Sequence, residues 1–137
     1  MTAVSVPSGA ILIADGDPTE AGIFYVATTH GKIVYKDGSQ GNKFNLADKN
    51  TINPSYARGI AIGDHAAGEK GLIALDGSTI TFASSCLTAG VNYYLGDSGA
   101  IIPEADIASD DYICYLGQAT STTVLKLAIK ALGVLKP

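Results

Sequence analysis

Chemistry in this chain of 137 residues has to start from two histidines, two cysteines and 13 aspartates and glutamates. Catalysis by such groups needs a nucleophile, acid or base held against a partner. His30 falls between two apolar runs and His65 between Gly63 and Gly68, so both are expected to be solvated turn histidines rather than metal ligands or general bases. Ser84-Ser85-Cys86 lacks the GxSxG elbow that would support an acyl-transfer serine. Cys86 and Cys114 lie outside any CxxC motif and, with no secretory context, read as buried thiols rather than a disulfide. Asp15, Asp17 and Glu20 form one acidic group and Asp110-Asp111 another; neither follows the D-x-[DN]-x-[DN]-G calcium loop, so solvated turn carboxylates are expected. Gly63-x4-Gly68-Glu69-Lys70 approaches a phosphate loop, but Glu69 precedes the lysine and no Ser or Thr follows it. The expectation is a non-enzymatic protein with no catalytic, metal or cofactor site. A small hydrolase would need His30 or His65 beside a carboxylate or Cys86.

Composition narrows the partners. A net charge of −4, with nine scattered basic residues, disfavours nucleic acid, whose phosphates require clustered Lys or Arg. No apolar run reaches the length of a membrane span, and the N-terminal MTAVSVPSGAILIADGD has no basic start of a secretory signal, so an origin in the cytosol is expected. Hydrophobic residues make up 47% and charged ones 16%, enough apolar surface for a packed core. The 16 glycines and five prolines are spread between short apolar runs, the texture of an all-β domain.

The elements that must position any site follow from those runs. Residues 10–14 (AILIA), closed by Asp15-Gly-Asp-Pro18, predict a strand. Residues 22–28 and 32–36 predict a hairpin across Thr29-His30-Gly31, and the polar stretch 37–56 a long surface loop. Strands are expected at 58–62 and 71–75, and Asp76-Gly77 predicts a tight hairpin into 79–82. Two more are expected at 93–95 and 100–102, with a last pair at 111–118 and 122–129. VLKLAIKAL also has apolar residues at helical intervals; the β-branched lead-in Thr122-Thr-Val124 favours a strand, which Gly133 should end. The result is a compact antiparallel β-barrel or sandwich: residues 1–9 an extended N-terminal arm, 10–137 a single β-rich domain. In the arm, Val4 and Val6 lie on one side of an alternating segment and Pro7 disfavours helix; a frayed terminus is an equal reading.

Seven tyrosines and no tryptophan draw attention to Tyr93-Tyr94. Neighbours on a strand point to opposite faces, so one phenol should enter the core and the other meet solvent or a partner. A cross-strand packing pair is the first reading and an interface the second.

The succession ARGIAI at 57–62, AAGE at 66–69, GLIALDG at 71–77, LTAGVNYYL at 87–95, GAIIP at 99–103 and YLGQATS at 115–121 resembles a small β-barrel module of tailed-phage head-decoration, or cement, proteins. The resemblance covers residues 46–129, rests on order and spacing, and leaves 11–35 unaccounted for. It implies a structural virion protein, made in the bacterial host cytoplasm, that binds the outer capsid surface and bridges neighbouring capsomers. The partners implied are the phage major capsid protein and two further copies in a homotrimer, with no nucleic acid and no membrane. On that reading Thr2, Val4, Val6 and Pro7 form a capsid-contact arm, and Tyr93 and Tyr94 a subunit or capsid interface. Related modules occur in phage tail fibres, so a host-surface adhesin is the alternative; the missing tryptophan lowers it.

Overall fold

In a computed structural model, which describes residues 3–8 and 11–137, the chain is all-β and every pairing between its strands is antiparallel. The strands are β1 (Leu12–Ile13), β2 (Thr19–Ile23), β3 (Ile33–Asp37), β4 (Lys43–Leu46), β5 (Gly59–Ala61), β6 (Lys70–Leu75), β7 (Thr79–Thr81), β8 (Asn92–Leu95), β9 (Ile101–Pro103), β10 (Tyr112–Ala119) and β11 (Val124–Leu135). They form two sheets, one ordered β1-β7-β11-β10-β8-β9 and the other β2-β6-β5-β3-β4. No helix among the described residues is long and apolar enough to cross a membrane.

Period-two alternation decides what each sheet buries. In the five-stranded sheet Ile33, Ile60 and Ala74 face the six-stranded sheet, where they meet Ile80, Leu95, Cys114, Leu116, Leu125 and Leu127 in the main core. Their sequence neighbours Val34, Ala61 and Ile73 point the other way, into a second cluster with Phe24 and Phe44. That second cluster exists because the five-stranded sheet curls until its edges meet. Phe24, one residue past β2, forms a parallel bridge with Phe44 of β4, and the Tyr25 N–H donates to the Phe44 carbonyl at 2.8 Å.

Closure requires room for rings inside the curl. Gly22 and Gly71 are direct partners across β2 and β6. A Cβ on Gly22 would run into the Phe44 ring, and one on Gly71 into the His65 imidazole. Phe24 then packs edge-on to Phe44 (centroids 5.3 Å) and stacks on His65 at 4.7 Å.

Four local expectations give way to this arrangement. Residues 22–28 and 32–36 do not make a hairpin: β2 pairs with β6, whereas β3 lies between β5 and β4. The stretch 37–56 is no open loop, because β4 lies within it and buries Phe44 completely. It is anchored by buried Asp37, whose carboxylate accepts from the Ser39 N–H and hydroxyl, the Asn45 amide and the Tyr35 hydroxyl. Asp76-Gly77 does turn the chain, but from β6 in one sheet to β7 in the other, since both edges of β6 are already taken by β2 and β5. Gly77 N–H donates to the Leu127 carbonyl and Asp76 accepts from the Ile129 N–H, so the turn docks on β11 instead of closing a hairpin. Residues 124–135 are strand, as the β-branched lead-in indicates, yet Gly133 does not end it: with φ +67° it sits inside β11, and Leu135 still pairs with Tyr112.

The described N-terminal residues do not extend away from the body. Val4 and Val6 pack against the main core, and the Val4 N–H donates to the Ile101 carbonyl of β9 at 2.8 Å. Thr2 lies outside the described residues, as do Met1, Gly9 and Ala10.

Because Phe44 fills the closed end of the curl, Phe44→Ala is expected to cost about 3–5 kcal/mol in urea unfolding. Gly22→Val, which forces a branched side chain into the same ring, is expected to cost about 1–3 kcal/mol by the same measurement.

Candidate functional site

The two histidines occupy structured positions, not solvated turns. His30 lies just past Thr28 and Thr29, and the Thr28 N–H and carbonyl exchange bonds with the backbone of His65 at 2.8 Å. Its ring is clamped between two oxygens: Nδ1 lies 2.8 Å from Asp64 Oδ1 and Nε2 lies 2.6 Å from the Pro7 carbonyl. The same Asp64 oxygen also accepts the His30 main-chain N–H at 2.9 Å. Two acceptors facing both ring nitrogens favour the imidazolium. The Pro7 carbonyl, and next Asp64, therefore hold His30 above its ordinary pKa, while the His30 N–H and ring hold Asp64 below its own. This is a histidine beside a carboxylate, but the nitrogen that a general base would turn toward a nucleophile is bonded to a backbone carbonyl. In His65, Nδ1 lies 3.4 Å from Glu69 Oε1, and Nε2 is buried over the curl with no hydrogen-bond partner among the described residues.

The carboxylates singled out in the sequence are engaged too. Asp17 accepts the N–H groups of Ala14 and Thr79, both at 2.9 Å. Glu20 takes Lys36 at 2.8 Å and Arg58 at 2.7 Å, and these bonds hold its carboxyl below the usual range. Asp111 is buried; it accepts Lys49 Nζ at 2.8 Å and the Ala108 N–H at 2.8 Å. Burial works to lower the Lys49 ammonium, but Asp111 and then Asp97 outweigh it and hold Lys49 above its ordinary value. Solvated turn carboxylates were the wrong expectation for Asp17, Glu20 and Asp111, because each closes a contact with residues distant in sequence or caps a turn. Among the described residues no three His, Cys, Asp or Glu side chains gather to hold a metal ion.

The tyrosine pair divides as strand geometry requires. Tyr93 is 4% exposed, in the main core, and its hydroxyl accepts the Thr88 N–H at 2.8 Å. Tyr94 faces outward, half-buried, edge-on to its cross-strand partner Tyr115 with centroids 5.3 Å apart, and donates to Glu104 at 3.2 Å. Burial pushes its phenol above the ordinary value, with Glu104 adding to it. Beside Tyr93 a shallow groove of about 420 Å³ is lined by Ala3, Val4, Cys86, Val91 and Pro103 among others. Both cysteines are free thiols, Cys86 half-buried and Cys114 fully buried.

Sequence reading missed an apolar surface at the far end of β11. Pairing with β7 covers only Val124, Leu125 and Lys126, so the rest of the strand runs on beyond β7. There Leu132 is 56% and Val134 52% exposed, with Leu135 and Tyr56 also open to solvent. Tyr56 lies against Gly133, where a Cβ would strike its phenol, so a residue from the 37–56 stretch abuts the strand end. The run KALGVL carried the signal in its alternation, but the pairing partner that stops short is not visible in one strand's sequence.

Thiol accessibility separates the two cysteines. Burial pushes the Cys114 thiol up to about 11, and Cys86, raised less and partly open to the groove, is expected to react first. Titration of the native protein with Ellman's reagent near pH 8 should therefore release one equivalent of thiolate, with the second appearing only on denaturation; simultaneous release of both would contradict the burial of Cys114. No protein-family model matches the chain, and no curated protein matches it.

Proposed function

We propose that this is a structural virion protein that binds the outer surface of a phage capsid and bridges neighbouring capsomers. The observation that carries the reading is the set of exposed aliphatic side chains Leu132, Val134 and Leu135 at the end of β11, on an all-β body whose buried Asp111 is paired internally with Lys49. A monomer that leaves large aliphatic side chains open at the end of a strand paired on one side only has a surface suited to protein contact. The quoted segments that resemble decoration proteins supply the kind of partner: the major capsid protein, met by a homotrimer assembled after synthesis in the bacterial cytoplasm. Each copy then needs only a modest contact, because several copies on one lattice raise the effective concentration of the next. Tyr94, on the outer face of the six-stranded sheet, is the member of the tyrosine pair placed to touch a neighbour; Tyr93 supports it from the core.

A second reading has its own observation. Tyr35, Asp37, Ser39, Thr51, Asn53 and Tyr56 line a groove of about 440 Å³, and two phenols with hydroxyl and amide neighbours are groups that sugars use. This favours the adhesin alternative. It is weakened by Asp37, whose oxygens are already filled by four internal donors and so are not open to a ligand.

Purified protein is expected to co-sediment with expanded phage heads and to raise their resistance to heat; folded protein that fails to bind authentic heads would sink the proposal. Leu132→Asp combined with Val134→Asp should weaken head binding at least about tenfold, since two open aliphatic contacts are each worth on the order of 1 kcal/mol or more. The melting temperature of the free protein should stay within a few degrees. Binding to host glycans in place of heads would favour the second reading.

A further inference from the structure

We infer that residues 3–8 are held to the body by a clip that depends on protonation of His30, the Pro7 end of the segment being released when the imidazolium loses its proton. Donor count sets the requirement. The Pro7 carbonyl can only accept, and the ionised Asp64 carboxylate can only accept. His30 meets both, at 2.6 Å and 2.8 Å, so both ring nitrogens must carry hydrogen. A neutral imidazole has one N–H and leaves a lone pair facing the other oxygen. The Pro7 carbonyl is the nearer acceptor at 2.6 Å, but it is neutral; Asp64 keeps the proton in that contest, because it carries charge and is aligned by the His30 main-chain N–H at 2.9 Å. Pro7 is the partner that is lost.

What the clip holds is identified by its neighbours. Val6 lies against Gly31, the residue after His30, so close that a Cβ there would strike its methyls. Farther along, Val4 donates to the Ile101 carbonyl, and Ala3, Val4 and Ser5 wall the groove that holds Cys86. Loss of the Pro7 bond therefore loosens the segment from its Val6 end while the Val4 hydrogen bond remains. The charges that act here are few. Residues 3–8 (AVSVPS) carry no titratable side chain. From the turn between β5 and β6 comes Asp64, with His65 behind it acting on that carboxylate.

The pH window follows from the two directions. His30 is raised, so its contribution is complete below the ordinary 6.5 and lost as pH climbs through the raised value. Asp64 is lowered, so its contribution is complete above the ordinary 3.8 and lost as pH falls through the lowered value. The clip is thus fully closed between 3.8 and 6.5 and opens on the alkaline side.

NMR of the whole protein tests it without perturbing the fold. The His30 ring signals are expected to titrate with a midpoint above 6.5, and the Val6 methyl signals to shift with that same midpoint while Leu116 in the core stays still. In Asp64→Asn the His30 midpoint should fall by about half a unit or more. In His30→Gln the Val6 signals should lose their pH dependence over the same range. Val6 signals that ignore the His30 titration, or a His30 midpoint at or below its ordinary value, would overturn the inference.

Discussion

The curl of the five-stranded sheet is the constraint on which the rest of the molecule depends, and it rests on two glycines. Only where Gly22 faces Gly71 does the inner surface of β2 and β6 lie low enough for the Phe44 and His65 rings to pass over it. With those rings in place, β4 can reach the far edge and Phe24 can bridge to Phe44. The sheet is then apolar on both sides, with Val34, Ala61 and Ile73 inside the curl and Ile33, Ile60 and Ala74 toward the six-stranded sheet. Two-sided burial explains why apolar residues stand side by side at Ile33-Val34 in β3 and Ile60-Ala61 in β5, where strands with one wet face alternate.

Charge is distributed to serve this body. Glu20 on β2 joins Lys36 on β3 and Arg58 beside β5, so one carboxylate ties together three parts of the same sheet. Lys49, just past β4, reaches Asp111 at the start of β10, with side chains 15% and 7% exposed, and so links the two sheets. Removing either member of such a sheltered pair leaves its partner unmatched, which makes the pair a strong constraint on register even where its net gain is small. The exposed aliphatic side chains Leu132, Val134 and Leu135 emerge at the end of β11, between Lys130 and Lys136. A surface of this kind serves contact with another protein better than turnover of a small molecule.

The N-terminal segment links these themes. Its valines alternate as a strand's would, and they spend that alternation on the chain's own core at the seam between β9 and the start of β3. A segment seated in this way can act on a partner only after leaving its seat. The His30 ring, with one oxygen from the segment and one from the body, stands at the point where seating is decided.

Reading the residues alone established the all-β class, the positions of most strands, the strand character of 122–129 against its helical periodicity, and the division of Tyr93 from Tyr94 between two faces. These are properties of period and of local backbone preference, and they are written within a few neighbouring positions. Pairing was another matter. Asp76-Gly77 has the right residues for a tight turn, but whether such a turn closes a hairpin or crosses between sheets depends on whether β6 has a free edge, and β2, far upstream, takes the edge that β5 leaves. Phe44, alone among polar neighbours, looks like a loop residue until the curl offers it a place. His30 and Asp64 stand 34 residues apart with nothing in either neighbourhood to announce the other. Local sequence determined which segments extend and which face is apolar; only the tertiary structure decided which edges meet, because hydrogen-bonding edges are identical in every strand and are allotted by competition among all of them.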